Sequence, residues 1–228
     1  MQKVLVVVAH PDDEILGMGG TIAKLSAQGK SVHVLIVTDG SSAQYRDSAD
    51  LQKIIEAKKL ETLNACNQVG VKSIHYGGLH DMRLDVTPHI QVNQAIEKVI
   101  DEIQPDAVFT HFYGDVNLDH QCVFKSVMVA VRPVADQVVK EVYCFNVPSS
   151  TEWNVFNATT MFMPNVVVDI AGYAEQKYAA LAEYKTELRE YPHPRSIEHI
   201  RKQDEAEGLK AGLLNAEAFM LVRKVVKQ

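Results

Sequence analysis

The chain has 228 residues, 46% of them hydrophobic and 23% charged, and a formal net charge of −6. That length accommodates one domain with a sizeable core, here read as spanning 1–228, and that composition excludes a disordered or fibrous chain. Net acidity without a basic block argues against a nucleic-acid partner. No run is apolar enough to span a bilayer and no signal peptide is apparent, so a cytoplasmic protein with no membrane partner is expected. Cys66, Cys122 and Cys144 are odd in number and widely spaced, and signal neither a disulfide framework nor a thiolate zinc site.

The first element is the unbroken apolar run Val4 to Ala9, the pattern of a strand buried on both faces of a parallel sheet. It empties into His10, Asp12, Asp13 and Glu14, at the carboxyl end where open α/β sheets bind ligands. One acid would suffice to cap the next helix, so an imidazole and three carboxylates point to chemistry. A helix follows from Ile15 to Gln28 and stops at Gly29. Gly17, Gly19 and Gly20 lie inside it rather than between strand and helix, so they read as close packing and not as a phosphate cradle.

Ser31 to Thr38 is the second strand, broken by Asp39-Gly40-Ser41-Ser42, and a loop through Tyr45 and Arg46 leads to a helix from Leu51 to Val69. Val71 to Tyr76 reads as a third strand. Thr87-Pro88 opens a helix to about Ile103. Ala107 to His111 is a fourth strand, and after it comes Gly114 to His120. This stretch is no EF-hand, because the glycine required at position six is His120 and the closing glutamate is Ser126. A helical pattern from Gln121 to Val139 is kinked or ended at Arg132-Pro133. Further strands are expected at Val142–Val147, Val166–Ile170 and Ala218–Val226, with helices from Gly172 to Leu188 and after the rigid loop Tyr191 to Ser196. The alternation predicts an α/β fold: a mostly parallel sheet with helices on both faces.

Loops after parallel strands share one sheet edge, so the first and fourth strands can bring His10, Asp13 and His120 together. Two imidazoles and a carboxylate form a catalytic zinc set with an open position. A metal there lowers the pKa of a bound water from about 15.7 to about 7, and Asp12 is left over to take a proton as general base. Asp119 is the expected partner for the free N–H of an imidazole ligand. The residues alone leave metal-dependent hydrolysis as one open reading and a noncatalytic module as the other.

The motifs A-H-P-D-D-E at Ala9–Glu14 with L-G-M-G-G behind it, T-D-G at Thr38–Gly40 and D-V-N-L-D-H at Asp115–His120 resemble the PIG-L/LmbE-like zinc-dependent N-deacetylases. The Y-P-H-P-R-S loop and Glu217-Ala218-Phe219 extend the likeness over nearly the whole chain. The resemblance implies a Rossmann-like fold and removal of an N-acetyl or related N-acyl group from an N-acetylglucosamine-type sugar or conjugate by attack of metal-bound hydroxide. It implies His10, Asp13 and His120 as ligands of zinc, or of iron(II), and Asp12 as the base. Two positions depart from the family pattern: Asn117 stands where relatives often place a histidine, and Lys58 where they often place an arginine.

With Asn117 unable to carry charge, His193, braced between two prolines, is the expected protonatable oxyanion donor, and Arg195 the substrate anchor. Asn117 and Arg46 complete the expected substrate-binding set. His80 and His111 end strands near the site and are candidates for substrate contact, while His33 and His75 read as structural and His89 and His199 as exposed. A homo-oligomer is expected, with His193 serving its own or a neighbouring subunit. The rival reading is a noncatalytic sugar- or nucleotide-binding module holding magnesium, whose preference for oxygen ligands two histidines would not serve.

Overall fold

Every apolar residue of the first strand is fully buried, and the alternation of its side chains divides them between two cores. Val4, Val6 and Val8 belong to one cluster and Leu5 and Val7 to the other. The structure, a computed structural model, describes residues 1–45 and 47–226. In chain order its elements are β1 (Lys3–Val8), α1 (Asp13–Ala27), β2 (Ser31–Thr38), α2 (Leu51–Gln68), β3 (Ser73–Leu79), α3 (His89–Ile103) and β4 (Ala107–His111). There follow α4 (Leu118–Ala130), β5 (Glu141–Phe145), β6 (Val166–Asp169), α5 (Ala174–Leu181), α6 (Ile197–Lys210) and β7 (Ala216–Lys224).

The seven strands form one sheet in the order β3-β2-β1-β4-β5-β7-β6. Pairing is parallel from β3 to β5, whereas β7 runs antiparallel to both β5 and β6. Helices α1, α2, α5 and α6 cover one face and α3 and α4 the other, so the sheet is doubly wound as expected. The reversal of order at β1 and β4 opens a crevice at their carboxyl ends, which fixes where a ligand can sit.

Several boundaries differ from the sequence pattern. Strand β3 runs on to Leu79, past a bulge where Leu79 pairs with Thr38; a Cβ on Gly77 would lie 2.6 Å from the Val37 carbonyl oxygen, so only glycine permits that approach. Helix α4 begins at Leu118 because Asn117 caps it, and ends at Ala130 ahead of Arg132-Pro133, leaving the stretch to Val139 irregular. Helix α5 stops at Leu181, and the tail to Leu188 turns without helix toward the crevice.

The three glycines of α1 serve packing, as their position implied. A Cβ on Gly17 would lie 2.3 Å from the Phe145 ring, and one on Gly20 2.7 Å from Ile170. Between them the helix breaks at Met18 (φ −157°, ψ 25°). The backbone N–H groups of Gly20 and Thr21 donate to the Glu217 carboxylate at 2.9 and 2.7 Å, so β7 supplies an acid to the first turn of the second half-helix. Glu217 is neutralised by buried Lys177, 2.9 Å away, which also pairs with Asp204 at 2.8 Å.

Candidate active site

The register Val7↔Thr110 between β1 and β4 ends both strands at the same level and turns their loops toward each other. In the first loop Asp12 adopts φ 106°, a left-handed conformation that an Asp tolerates better than most residues. The turn is held from below: the Asp12 N–H donates to Glu14 Oε2 at 3.2 Å, and the Asp12 carbonyl accepts from Ile15 and Leu16. Glu14 is fully buried and accepts from the Tyr184 hydroxyl; burial lifts its pKa to about 7 against that hydrogen bond.

Three donor atoms converge above this turn. His10 Nδ1 lies 3.2 Å from His120 Nε2 and 3.3 Å from Asp13 Oδ2, and His120 Nε2 is 3.4 Å from the same oxygen. A tetrahedral ion bound at about 2.0–2.1 Å spaces its ligands roughly 3.3–3.4 Å apart, so the side chains already stand at the separations such an ion requires. Their outer nitrogens are also arranged. His10 Nε2 faces Asp119 at 3.2 Å and Asp81 at 3.3 Å, and His120 Nδ1 faces Asp115 at 3.1 Å. A carboxylate on the outer nitrogen holds the proton there and leaves the inner lone pair for a cation.

The electrostatics agree with that reading. Burial opposes charge on both rings, yet Asp119, Asp13 and Asp81 hold His10 well above the usual imidazole range. Asp13 and Asp115 likewise push His120 to about 9. Asp13 is drawn well below the carboxylate range, its own burial being outweighed by His120, His111 and His10. Without a metal this pocket therefore favours protons, and a divalent cation would take their place.

Asp12 is the spare carboxylate, buried beside the cluster but absent from it. Burial raises its pKa well above the ordinary value, and the guanidinium of Arg195, with Nη1 3.4 Å from Oδ2, opposes the rise. Arg195 is more committed than a substrate anchor would be: Nη1 also pairs with Glu187 at 3.1 Å and Nε donates to Ser149 at 2.8 Å. Glu187 in turn meets buried Lys58 at 2.5 Å.

These residues line a crevice of about 580 Å³ that also takes in His193, Asn117 and Trp153. His193 Nδ1 accepts the Arg195 N–H at 3.0 Å, so the proton of the neutral ring sits on Nε2. Partial burial and the nearby Arg195 lower its pKa. Asn117 Oδ1 accepts the Asp119 N–H at 2.9 Å, and its Nδ2 faces Met82. Asp119 Oδ2 faces Nε2 of His10 at 3.2 Å and not its chain neighbour His120.

His111 is a correction. It is fully buried, accepts the Ala9 N–H on Nε2 at 2.8 Å and stacks on His120 with ring centroids 3.8 Å apart, so it backs the site and cannot reach substrate. His80 is largely exposed, 3.6 Å from Asp39. His33 and His75 share Ser73 through hydrogen bonds of 2.7 and 2.8 Å, a structural role. Arg46 lies outside the described residues. The sequence does not single out Asp81, Ser149, Trp153 and Glu187; of the acids that face the two imidazoles, Asp115 and Asp119 stand inside the motif at Asp115–His120 and Asp81 does not.

A doubly wound sheet whose switch point carries two histidines and a carboxylate within reach of one another, with a spare buried carboxylate beside them, defines an α/β protein with a candidate metal centre. The chain belongs to the PIG-L family (GlcNAc-PI de-N-acetylase), whose family model matches residues 5–131. It is 29% identical over 191 residues to a probable N-acetyl-alpha-D-glucosaminyl L-malate deacetylase 2 of Bacillus cereus, covering 82% of this chain and 84% of that one. The fold matches N,N'-diacetylchitobiose deacetylase from Pyrococcus horikoshii with a TM-score of 0.78 at 22% identity, over 97% of this chain and 84% of that chain. It also matches GalB, the 4-carboxy-2-hydroxymuconate hydratase from Pseudomonas putida, with a TM-score of 0.76 at 22% identity, over 100% and 99%. The fold alone therefore does not fix the reaction. The sequence relatives also include a diacetylchitobiose deacetylase of Thermococcus kodakarensis, 33% identical over 108 residues, 47% of this chain and 40% of that one.

Proposed function

We propose that the protein is a metal-dependent N-deacetylase acting on an N-acetylglucosamine-type sugar or sugar conjugate. The observation that carries this reading is the convergence of His10 Nδ1, His120 Nε2 and Asp13 Oδ2 at 3.2–3.4 Å with buried Asp12 beside them. His10, Asp13 and His120 would hold the ion, zinc or iron(II), which when bound polarises the amide carbonyl and acidifies a water. Asp12 accepts the proton of the attacking water and passes it to the departing amine nitrogen; burial raises its affinity for that proton, and its pairing with Arg195 opposes the rise. His193 Nε2–H, at the wall of the same crevice, donates to the oxygen on which negative charge develops. Asn117 Nδ2 and the crevice wall orient the sugar; Arg195 acts chiefly through Asp12. Arg46 is kept as a substrate-binding residue on its place in the sequence after Asp39-Gly40-Ser41-Ser42.

The noncatalytic magnesium-binding alternative is not favoured, since two imidazoles at the inner position suit zinc or iron(II) better. The same reading takes residues 1–228 as one catalytic domain, supported by a single sheet from β1 to β7, working as a homo-oligomer in the cytoplasm. Among the described residues no helix is long and apolar enough to cross a membrane. The deciding experiment is acetate release from N-acetylglucosamine glycosides by the purified protein, with metal content measured on the same sample. Release that requires about one divalent ion per chain supports the proposal; no release by fully loaded protein refutes it.

A further inference from the structure

A second cavity of about 350 Å³ opens from the crevice and shares Met82, Asn117, Ser149, Trp153 and Arg195 with it. Four large apolar side chains surround it, each about half exposed: Trp153 at 58%, Met82 at 55%, Leu118 at 52% and Val116 at 46%. Single exposed apolar residues are ordinary, but four from three separate segments around one cavity form a surface made for a ligand. The polar groups of its wall are occupied from behind. Asp119 accepts from the Met82 and Leu84 N–H groups at 2.7 and 3.0 Å besides meeting His10, and the Ser150 hydroxyl donates to Asp115. Arg195 is held by Asp12, Glu187 and Ser149. What remains for a ligand is an apolar wall, with the amide of Asn117 at the junction and the carboxylate of Asp85 opposing a negative charge.

We infer that this cavity is a subsite for a neutral apolar substituent, aryl or alkyl, on the anomeric oxygen of the sugar whose acetamide reaches His10, Asp13 and His120. The inference rests on the deacetylase reading for the sugar, but its own basis is the apolar wall. Continuity of the two cavities lets one ligand occupy both, and the Trp153 ring edge meets His193 at a centroid distance of 6.0 Å, so the sugar and its substituent meet at that pair.

Trp153 is the chain's single tryptophan and lines both cavities, so its emission reports a ligand in either and lets the two glycosides be compared on one signal. The test titrates the metal-loaded protein with phenyl and methyl glycosides of glucosamine, which carry no acetyl group and cannot turn over, while Trp153 emission is read. The phenyl glycoside is expected to bind at least about tenfold more tightly, about 1.4 kcal/mol, with a blue shift as the indole leaves water. Val116→Ser with Leu118→Ser, two residues that line only the second cavity, should abolish that difference and leave acetate release from the methyl N-acetylglucosaminide unchanged. Equal affinities, or a preference that survives the double substitution, would overturn the subsite. Emission that is blue-shifted without ligand and shifts with protein concentration would also overturn it, assigning the surface to a second copy of the chain. A phenyl preference in a protein that releases no acetate from either N-acetyl glycoside would uphold the subsite and refute the deacetylase reading instead.

Discussion

Asp115 Oδ2 lies 3.1 Å from Nδ1 of His120, on the side of the ring away from His10 and Asp13. The carboxylate is itself immobilised: it accepts from Thr151 Oγ1 at 2.8 Å, from the Asn117 N–H at 2.8 Å and from the Ser150 hydroxyl. Burial disfavours its charge, but His120 and these donors hold its pKa below the usual range. Asp115 thus sets the tautomer of His120 and presents Nε2 as a lone pair. Asp115→Asn should weaken metal binding about 10- to 100-fold, the usual scale for such a partner, as read by competition with a chelator. Unchanged affinity would mean that the stack on His111 alone orients the ring.

Asp12 calls for a substitution that keeps its left-handed backbone. Asparagine tolerates φ 106° far better than alanine does, so Asp12→Asn tests charge without adding strain. Metal content should stay near wild type while turnover falls about a hundredfold or more, the scale of a lost general base. Parallel loss of metal would make Asp12 a ligand.

Packing of α1 on the sheet predicts a purely structural defect. Gly17→Ala places a methyl group 2.3 Å from the Phe145 ring in a core without slack, which should cost about 1–3 kcal/mol in chemical denaturation. Adding Phe145→Leu should return part of that loss, and its failure to do so would place the cost in the helix itself.

Buried Lys177 answers two carboxylates, Asp204 and Glu217, and its pKa is raised because their attraction exceeds the cost of burial. A raised lysine contributes stability that is present below its unfolded value near 10.5 and is lost as pH climbs above it. Asp204 is raised as well, burial lifting it to about 6 even with Lys177 beside it, but it titrates in the acid range. Its native state binds more protons between about pH 4 and 6, so its contribution falls as pH rises through that window. Lys177→Met should therefore cost about 3–5 kcal/mol near pH 8 and distinctly less near pH 4.5, by urea denaturation at both values. An equal cost at both would show that the charge of Lys177 is not what is missed.

The central strands and the inner site were legible because each signal is local. Val4–Ala9 and Ala107–His111 are apolar runs that end in polar chemistry, and parallel topology brings such ends together. The supporting residues were not legible for the opposite reason. Asp81 and Glu187 sit in irregular segments, after β3 and after α5, and gain meaning only from partners far along the chain, such as Lys58 for Glu187. Trp153 lies in a short 3₁₀ turn between β5 and β6 that no periodicity marks. The motif marks Asp119 as a candidate partner for an imidazole, but which imidazole it faces depends on the direction of α4's first turn.

His193 supplies the sharpest remaining test, because its environment determines which form of the ring works. Nδ1 accepts the Arg195 N–H, and partial burial together with Arg195 and Arg189 lowers its pKa below the ordinary 6.5, so near neutrality Nε2 is an uncharged N–H donor. A neutral donor persists as pH rises, whereas an imidazolium would be lost. His193→Ala should lower turnover about ten- to a thousandfold with metal content preserved, consistent with one missing oxyanion donor. His193→Gln, which keeps an N–H near the same place, should recover part of that loss. The alkaline side of the pH–rate profile should be the same in wild type and His193→Ala, since no proton leaves this ring there. An alkaline limb that disappears in the variant would show that the imidazolium is the working form and that Arg195 does not depress it in the loaded enzyme. Full activity in His193→Ala would remove the residue from the reaction and leave Asn117 Nδ2 as the donor at that wall.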